Sequence, residues 1–332
     1  MIEQLSVLVI GCGRVFLRHH LLALQELQRR KILRIAGCVD PHVSPEDVGL
    51  SRSMPWYEDI KSALSDSKRQ FQAAVILTPD YLHYPASLAA LEAGLHTFCE
   101  MPLTLQTKEA DHLIVLAEAN KLCLAVGHTG RFERAYEKAT ELVTQGAIGT
   151  PIRVFEERFS WVGDPEADWW RDSAKSGGLI INLVVSHGVD TTLHLINGQP
   201  QSVFAWGATV RPSLWDGPDE TMVCLTTRRG VQVNLCHSYN YRDHDKVRHH
   251  TIVIGTEGIL TISDRKSLSL NSKPYPFKEP VDDRWSRQLL EFFRAIQQNQ
   301  EPSISGRRCR RVVSVLEAVR RSILSKSVEI CK

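Results

Sequence analysis

Gly11-Cys12-Gly13-Arg14-Val15-Phe16 stands between an apolar run, Leu5 to Ile10, and a segment from Leu17 to Arg29 whose Leu21, Leu24 and Leu27 form a helical stripe. In that setting Gly11 permits a tight turn and Gly13 lets the backbone approach a pyrophosphate. The amides and dipole at the helix start then stabilise the negative charge. Phe16 occupies the place of a third glycine, which implies a slightly wider helix–strand spacing. Two glycines can also mark a plain turn; the buried strand before them, the helix after them and an acid closing the next strand favour the nucleotide. That acid is Asp40. Its carboxylate suits the hydroxyls of an adenosine ribose and repels a 2′-phosphate, and no arginine follows in Pro41-His42-Val43, so NAD is expected rather than NADP. The alternative for Asp40 is a loop cap before Pro41.

The remaining groups that could hold metal or act as nucleophiles point nowhere specific. Eight cysteines are scattered at 12, 38, 99, 123, 224, 236, 309 and 331 without a CxxC pair, which reads as free thiols, several of them buried, in a reducing cytoplasm. His244, His249 and His250 cluster in a charged stretch whose spacing matches no metal site, and a solvated loop is expected there, with no metal. Lys+Arg 40 against Asp+Glu 38 leaves a formal charge of +2 and no general attraction for nucleic acid or anionic membrane. Arg307, Arg308, Arg310, Arg311, Arg320 and Arg321 form one basic cluster, read as the solvated face of a helix. The start of the chain lacks a basic leader, and no apolar stretch approaches a membrane span, so a cytoplasmic protein is expected.

These groups need a frame, and 332 residues suit two domains. Apolar runs at 5–10, 35–39, 73–77 and 123–126 alternate with helical segments, as in a parallel, doubly wound sheet. Beyond about Gly127 the rhythm changes. Strand candidates at 152–159, 202–209, 221–227, 231–239, 251–254 and 259–263 follow one another across short turns, which indicates an open, mostly antiparallel sheet, and helices near 285–297 and 308–324 close the chain. The expected fold is an α/β N-terminal Rossmann domain, residues 1–126, binding NAD. A C-terminal α+β domain, 127–332, then handles substrate and oligomerisation, with its last helices free to pack back on the first.

Six further segments, in order along nearly the whole chain, resemble the Gfo/Idh/MocA oxidoreductases (glucose–fructose oxidoreductase, inositol dehydrogenase and relatives). Thr78-Pro79-Asp80-Tyr81-Leu82-His83 resembles the family's TPNxxH, and Glu100-Met101-Pro102 falls at its Glu-Lys-Pro. Gly127-His128-Thr129-Gly130-Arg131-Phe132, Gly146-Ala147-Ile148-Gly149, Trp170-Arg171 with Ser176-Gly177-Gly178, and His187-Gly188-Val189-Asp190 match the later segments. The resemblance implies hydride transfer between NAD(P) and a carbinol carbon of a sugar, cyclitol or sugar derivative, in a homodimer or homotetramer. It implies cofactor contacts from Gly11, Cys12, Gly13, Arg14, Val15, Asp40, Thr78, Pro79, His83, Glu100 and Met101. Substrate contacts would come from Met101, His128, Arg171, Lys175 and His187, and catalysis from His187, Asp190 and Asn182; Tyr239 and His237 are further groups able to reach the substrate from the sheet. The chain departs from the pattern where the family has its lysine, since Met101 can neither donate a proton nor stabilise an alkoxide. Asn182 replaces the usual Asp, and Ser186 stands where the family's His is due. His187 is one residue further on: either the helix carries an extra residue or His187 is structural. The alternative function is an NAD-binding regulator or partner subunit that has lost its chemistry.

Overall fold

A computed structural model describes residues 4–51, 53–242, 247–277 and 283–332. It begins with β1 (Leu5–Ile10), α1 (Leu21–Arg29), β2 (Leu33–Val39), β3 (Trp56–Tyr57), α2 (Ile60–Leu64), β4 (Ala73–Ile76), α3 (His83–Glu92), β5 (His96–Glu100), α4 (Thr107–Ala119) and β6 (Leu124–Gly127). There follow α5 (Arg134–Thr144), β7 (Pro151–Phe159), α6 (Asp168–Arg171), α7 (Ser173–Ser176), α8 (Ser186–Leu195), β8 (Pro200–Ala208), β9 (Glu220–Thr227) and β10 (Gln232–Ser238). Last come β11 (Arg248–Gly255), β12 (Ile259–Ser263), β13 (Ser267–Leu270), β14 (Lys273–Pro274), α9 (Arg284–Gln298), α10 (Gly306–Ser325) and β15 (Glu329–Ile330). The chain separates into two compact units, Met1–His128 with Asp282–Arg310, and Thr129–Val281 with Arg311–Lys332.

The first unit holds a six-stranded parallel sheet in the order β3-β2-β1-β4-β5-β6. All six residues of β1 are buried, as a strand covered on both faces requires. The order reverses between β1 and β4, and in such sheets the crevice at the carboxyl ends of those strands takes the ligand. Helix α9 returns to this unit: Phe292 and Phe293 are fully buried, and Phe292 lies 5.8 Å from Phe98 on β5. The helix after the glycine turn opens with a π turn, Phe16–His20, that buries Phe16 where the third glycine was missing.

The second unit is built on a nine-stranded sheet, β14-β13-β12-β11-β7-β10-β9-β8-β15. Its pairs are antiparallel except β7 with β10, which run parallel, so the sheet is mixed although mostly antiparallel. The long excursion between β7 and β10 brings that return in the same direction, which neighbouring turn signals could not foretell. Val154, Val223, Leu225, Val233, Leu235 and Val253 line its inner face and join the core with α5 and α8. Ile152, Phe155, Phe204, Trp206 and Met222 point the other way and are exposed.

The basic cluster lies on the surface, Arg307 and Arg308 exposed, but its arginines are engaged in ion pairs and carbonyl contacts. Arg310 binds Asp111 (2.6 Å from Nε and 2.7 Å from Nη2), Arg307 binds Glu118, Arg311 donates to the Gly198 carbonyl (2.8 Å) and Arg321 to Glu329 (3.1 Å). His249 and His250 are not a loop, since both lie on β11, His249 being buried; His244 lies outside the described residues.

Candidate active site

The glycine turn is closed at Gly11 and open at Gly13. Gly11 has φ +90°, and a Cβ there would lie 2.8 Å from the Leu77 carbonyl and the Thr78 amide nitrogen, so a side chain is excluded twice over. A Cβ on Gly13 would meet nothing within 4 Å, which leaves the space above the turn open to a ligand. Thr78 Oγ1 is buried without a partner, a hydroxyl ready for a cofactor oxygen. Arg14 and Val15 follow the turn, Val15 exposed. Asp40 performs the loop cap that was the alternative: its Oδ1 accepts from the His42 and Val43 amides (2.9 and 3.0 Å). Its Oδ2 accepts from the Cys12 amide (2.8 Å), tying the end of β2 to the glycine turn. Oδ2 retains a lone pair for a ribose hydroxyl. Cys12 lies against Cys38, and that contact together with burial pushes its thiol far above the usual range, leaving an inert side chain.

Below the sheet's carboxyl edge, His83 holds two loops together. Its Nδ1 lies 2.6 Å from the Pro102 carbonyl and its Nε2 2.9 Å from the Thr78 carbonyl. Carbonyl oxygens only accept, so both ring nitrogens donate and the ring is an imidazolium. Burial opposes that charge, but Cys99, Asp80 and the Pro102 carbonyl outweigh it and lift the ring to about 10. His83 therefore positions the Thr78-Pro79 and Met101-Pro102 segments instead of presenting a free nitrogen. Glu100 is committed as well: it accepts from the Met101 amide (3.1 Å) and bonds His20 Nε2 (2.7 Å), a buried histidine that sequence reasoning passed over. Its position just after the glycine turn was the available signal. Met101 and His128 are both buried, each in the first unit.

In the second unit the expected catalytic residues occupy one helical segment. A π turn, Ile181–Val185, leads directly into α8, so one residue more than an α turn is absorbed before His187. Asn182 is buried and accepts from Arg320 Nη1 at Oδ1 (2.9 Å). Asp190 is buried and clamped by Arg131, whose Nε lies 2.8 Å from Oδ2 while Nη2 donates to Oδ1. Its carboxylate is thus engaged in a buried ion pair and not available as a free base. His187 is half-buried, and its carbonyl accepts from Thr191 Oγ1 (2.8 Å). Arg171 lies 3.8 Å from Asp164 and Lys175 3.4 Å from Asp172, both on the surface.

A larger polar group went unread in the sequence. Glu156, on the buried face of β7, faces His237 Nε2 (2.5 Å) and His249 Nε2 (2.9 Å). Burial alone would raise its carboxyl, yet the two imidazoles hold it far below the usual range, so it is ionised. His249 Nδ1 accepts from Arg265 Nε (2.7 Å), and burial pulls that ring down to about 4. The signal was available: Val154, Glu156 and Arg158 share one phase of a strand whose other phase carries Phe155, so charge sits on the buried phase.

Comparison with known proteins agrees with this frame. A family description, "Oxidoreductase family, NAD-binding Rossmann fold", matches residues 5–128, and "GFO/IDH/MocA C-terminal domain" matches 136–261. The chain belongs to the Gfo/Idh/MocA family of NAD-binding oxidoreductases. It is 25% identical to an uncharacterised oxidoreductase of Bacillus subtilis over 92% of this chain and 90% of that protein. It is also 25% identical to myo-inositol 2-dehydrogenase of Thermotoga maritima over 79% and 78% of the two chains. A levoglucosan dehydrogenase solved with NADH superimposes with a TM-score of 0.88 at 18% identity, covering 99% of this chain and 100% of that one. Among the described residues no helix is long and apolar enough to cross a membrane.

Proposed function

We propose that the protein is an NAD-dependent dehydrogenase or reductase acting at a carbinol carbon of a neutral sugar, cyclitol or related polyol, with His187 moving the hydroxyl proton. The π turn ahead of α8 carries this reading. In an α helix a residue four positions on returns to the same face; in a π turn the residue five positions on does so. Asn182 and His187 are five apart across Ile181–Val185, so the extra residue lets His187 take up the phase that Ser186 would otherwise hold. Gly11, Cys12, Gly13, Arg14 and Val15 would hold the pyrophosphate, and Asp40 the adenosine ribose. Thr78, Pro79, His83, Glu100 and Met101 would frame the nicotinamide end, His83 and Glu100 by fixing the loops. NAD, when bound, supplies the hydride acceptor. His128, Arg171 and Lys175 are proposed to orient substrate hydroxyls, while Asp190 acts through Arg131 and Asn182 through Arg320 as positioning residues. Relatives bearing names such as myo-inositol 2-dehydrogenase and levoglucosan dehydrogenase support this substrate class. A cytoplasmic location fits the free cysteines. The exposed apolar strip Ile152, Phe155, Phe204, Trp206 and Met222 suits a second copy of the chain, giving a homodimer or homotetramer.

The test is a panel of neutral sugars and cyclitols with NAD, followed by NADH formation, beside calorimetry of NADH and NADPH. NADH is expected to bind at least about tenfold more tightly than NADPH, Asp40→Ala to narrow that gap, and His187→Ala to abolish turnover with NADH affinity kept. Full turnover in His187→Ala would reassign the proton carrier. Tight NADH binding with no turnover across the panel would favour the regulator or partner-subunit reading, to which Met101 and the clamped Asn182 lend support.

A further inference from the structure

At the amino edge of the first unit's sheet lies a cleft of about 460 Å³, within the ordinary size of a small-molecule site. His96 opens β5 and Leu124 opens β6, while Gly11 follows the last residue of β1. In a parallel sheet these are opposite edges, a strand's length apart, about 15 Å. The cleft forms where α4 and α9 end, each followed by a residue in the left-handed region, Lys121 (φ 55°) and Asn299 (φ 51°). Its third wall, 302–305, runs along the sheet's edge strand: the Val126 amide donates to the Ile304 carbonyl (2.8 Å), and Ala125 pairs with Ser305. Ile114, Ala117, Leu122, Leu124, Ile296 and Pro302 give the cleft an apolar lining.

Most charges around the cleft are already matched. Arg307 donates to Glu118 Oε1 from Nε (3.0 Å) and from Nη2. The Ser303 amide donates to Glu291, and Ser305 Oγ to Glu301 Oε1 (2.6 Å), whose Oε2 lies 3.7 Å from Arg308 Nε. Burial, with Glu291 and Glu301 adding to it, pushes the Cys123 thiol up to about 12, so the thiol is neutral. Two groups are left over. The Lys121 side chain has neither ion pair nor hydrogen bond among the described residues. His96 Nδ1 accepts from the Cys123 amide (2.9 Å), which puts the proton of the neutral ring on Nε2. Burial lowers this ring below its ordinary 6.5, so the neutral form prevails at neutral pH. Its Nε2–H has no protein acceptor among the described residues.

An ammonium and an N–H donor beside an apolar lining call for an occupant with one negative head and an apolar body. An ammonium ligand would meet Lys121, and a neutral alcohol would leave that lysine unmatched. A polyphosphate would set several charges against one lysine, with Glu118 and Glu301 close by. We propose that this cleft binds a small monocarboxylate with an apolar body, Lys121 and His96 taking the carboxylate, at a site separate from the cofactor's. A ligand held a strand's length from the glycine turn is an effector and not a substrate. Its physical link to the rest of the unit is α9, whose end forms one wall and whose Phe292 packs on Phe98 of β5, the strand that ends at Glu100.

The probes are phenylpropionate, phenylpropanol and phenylpropylamine, one body with three head groups, titrated by calorimetry into the NADH-loaded protein. Lys121→Gln removes the charge, and His96→Asn keeps an acceptor for the Cys123 amide while removing the ring N–H. Lys31→Gln is the control, because Lys31 holds the corresponding left-handed position after α1 and lies outside the cleft. Phenylpropionate is expected to bind with NADH still in place and more tightly than the other two. Each cleft variant should weaken it about tenfold, the worth of one hydrogen bond, while Lys31→Gln leaves it unchanged and NADH affinity stays the same throughout. No binding of the acid at millimolar concentration, tighter binding of the alcohol or the amine, displacement of NADH, or parental affinity in both cleft variants would overturn the site. So would equal weakening by Lys31→Gln, which would reduce the effect to unspecific attraction between charges.

Discussion

Glu156 decides the proton positions of two histidines, and the same arrangement makes the second unit sensitive to acid. His249 is lowered from 6.5 to about 4 by burial, so the unfolded chain takes up its proton as pH falls below 6.5 while the folded chain resists until near 4. Stability is therefore lost with falling pH across that window. Glu156, held below its ordinary value, adds a loss in the same direction once pH falls through the usual carboxylate range. Calorimetric melting from pH 7 to 4 is expected to show a steady fall in Tm, with about 3 kcal/mol of stability lost from His249 alone, and His249→Gln should flatten the part between 6.5 and 4. A Tm in the parent protein that stays level over this interval would contradict the assignment. Met101 belongs to the same scale: its thioether carries no charge, so in the proposed reaction proton movement would fall to a histidine.

Among the elements, the π turn Ile181–Val185 has the clearest consequence. Removing one residue from it, for example exposed Leu183, would let the segment wind as a plain α helix. His187 and all that follows on α8 would then rotate by about 100° relative to Asn182. The variant is expected to bind NADH as the parent does and to lose at least about a hundredfold in turnover, the usual worth of a positioned acid–base group. Retained turnover would show that the phase of His187 does not matter. The first π turn, Phe16–His20, does comparable work, since it buries Phe16 and delivers His20 to Glu100.

For the molecule as a whole, the division into units is discontinuous in sequence. The first unit needs 282–310 in addition to 1–128, because Phe292 and Phe293 complete the core that Phe98 begins. A fragment ending at residue 130 would leave that apolar face open to water. It is expected to melt without a cooperative transition and to bind a hydrophobic dye, whereas residues 1–128 joined by a flexible linker to 283–310 should melt cooperatively and bind NADH. Equal cooperative melting of both pieces would show that α9 is dispensable.

The nucleotide-binding half was legible because its signals are local. A buried parallel strand must be apolar throughout, a tight turn against Leu77 admits only glycine, and an acid must close the next strand, so Leu5–Ile10, Gly11 and Asp40 announced themselves within 36 residues of one another. The succession of strands beyond Gly127 likewise revealed a second sheet, though not that β7 and β10 run parallel, because strand direction depends on which distant segments meet. Whether the extra residue before His187 sits in the helix or displaces it was likewise undecidable from spacing; backbone hydrogen bonding settled it as a π turn. Tertiary structure alone showed Asp190, expected among the catalytic residues, as the partner of Arg131, and gave the surface arginines their ion-pair and carbonyl partners. It also set Thr221, His237, Arg158 and His249 side by side. Those four are spread over 92 residues, and only strand register, a property of the folded sheet, makes them neighbours.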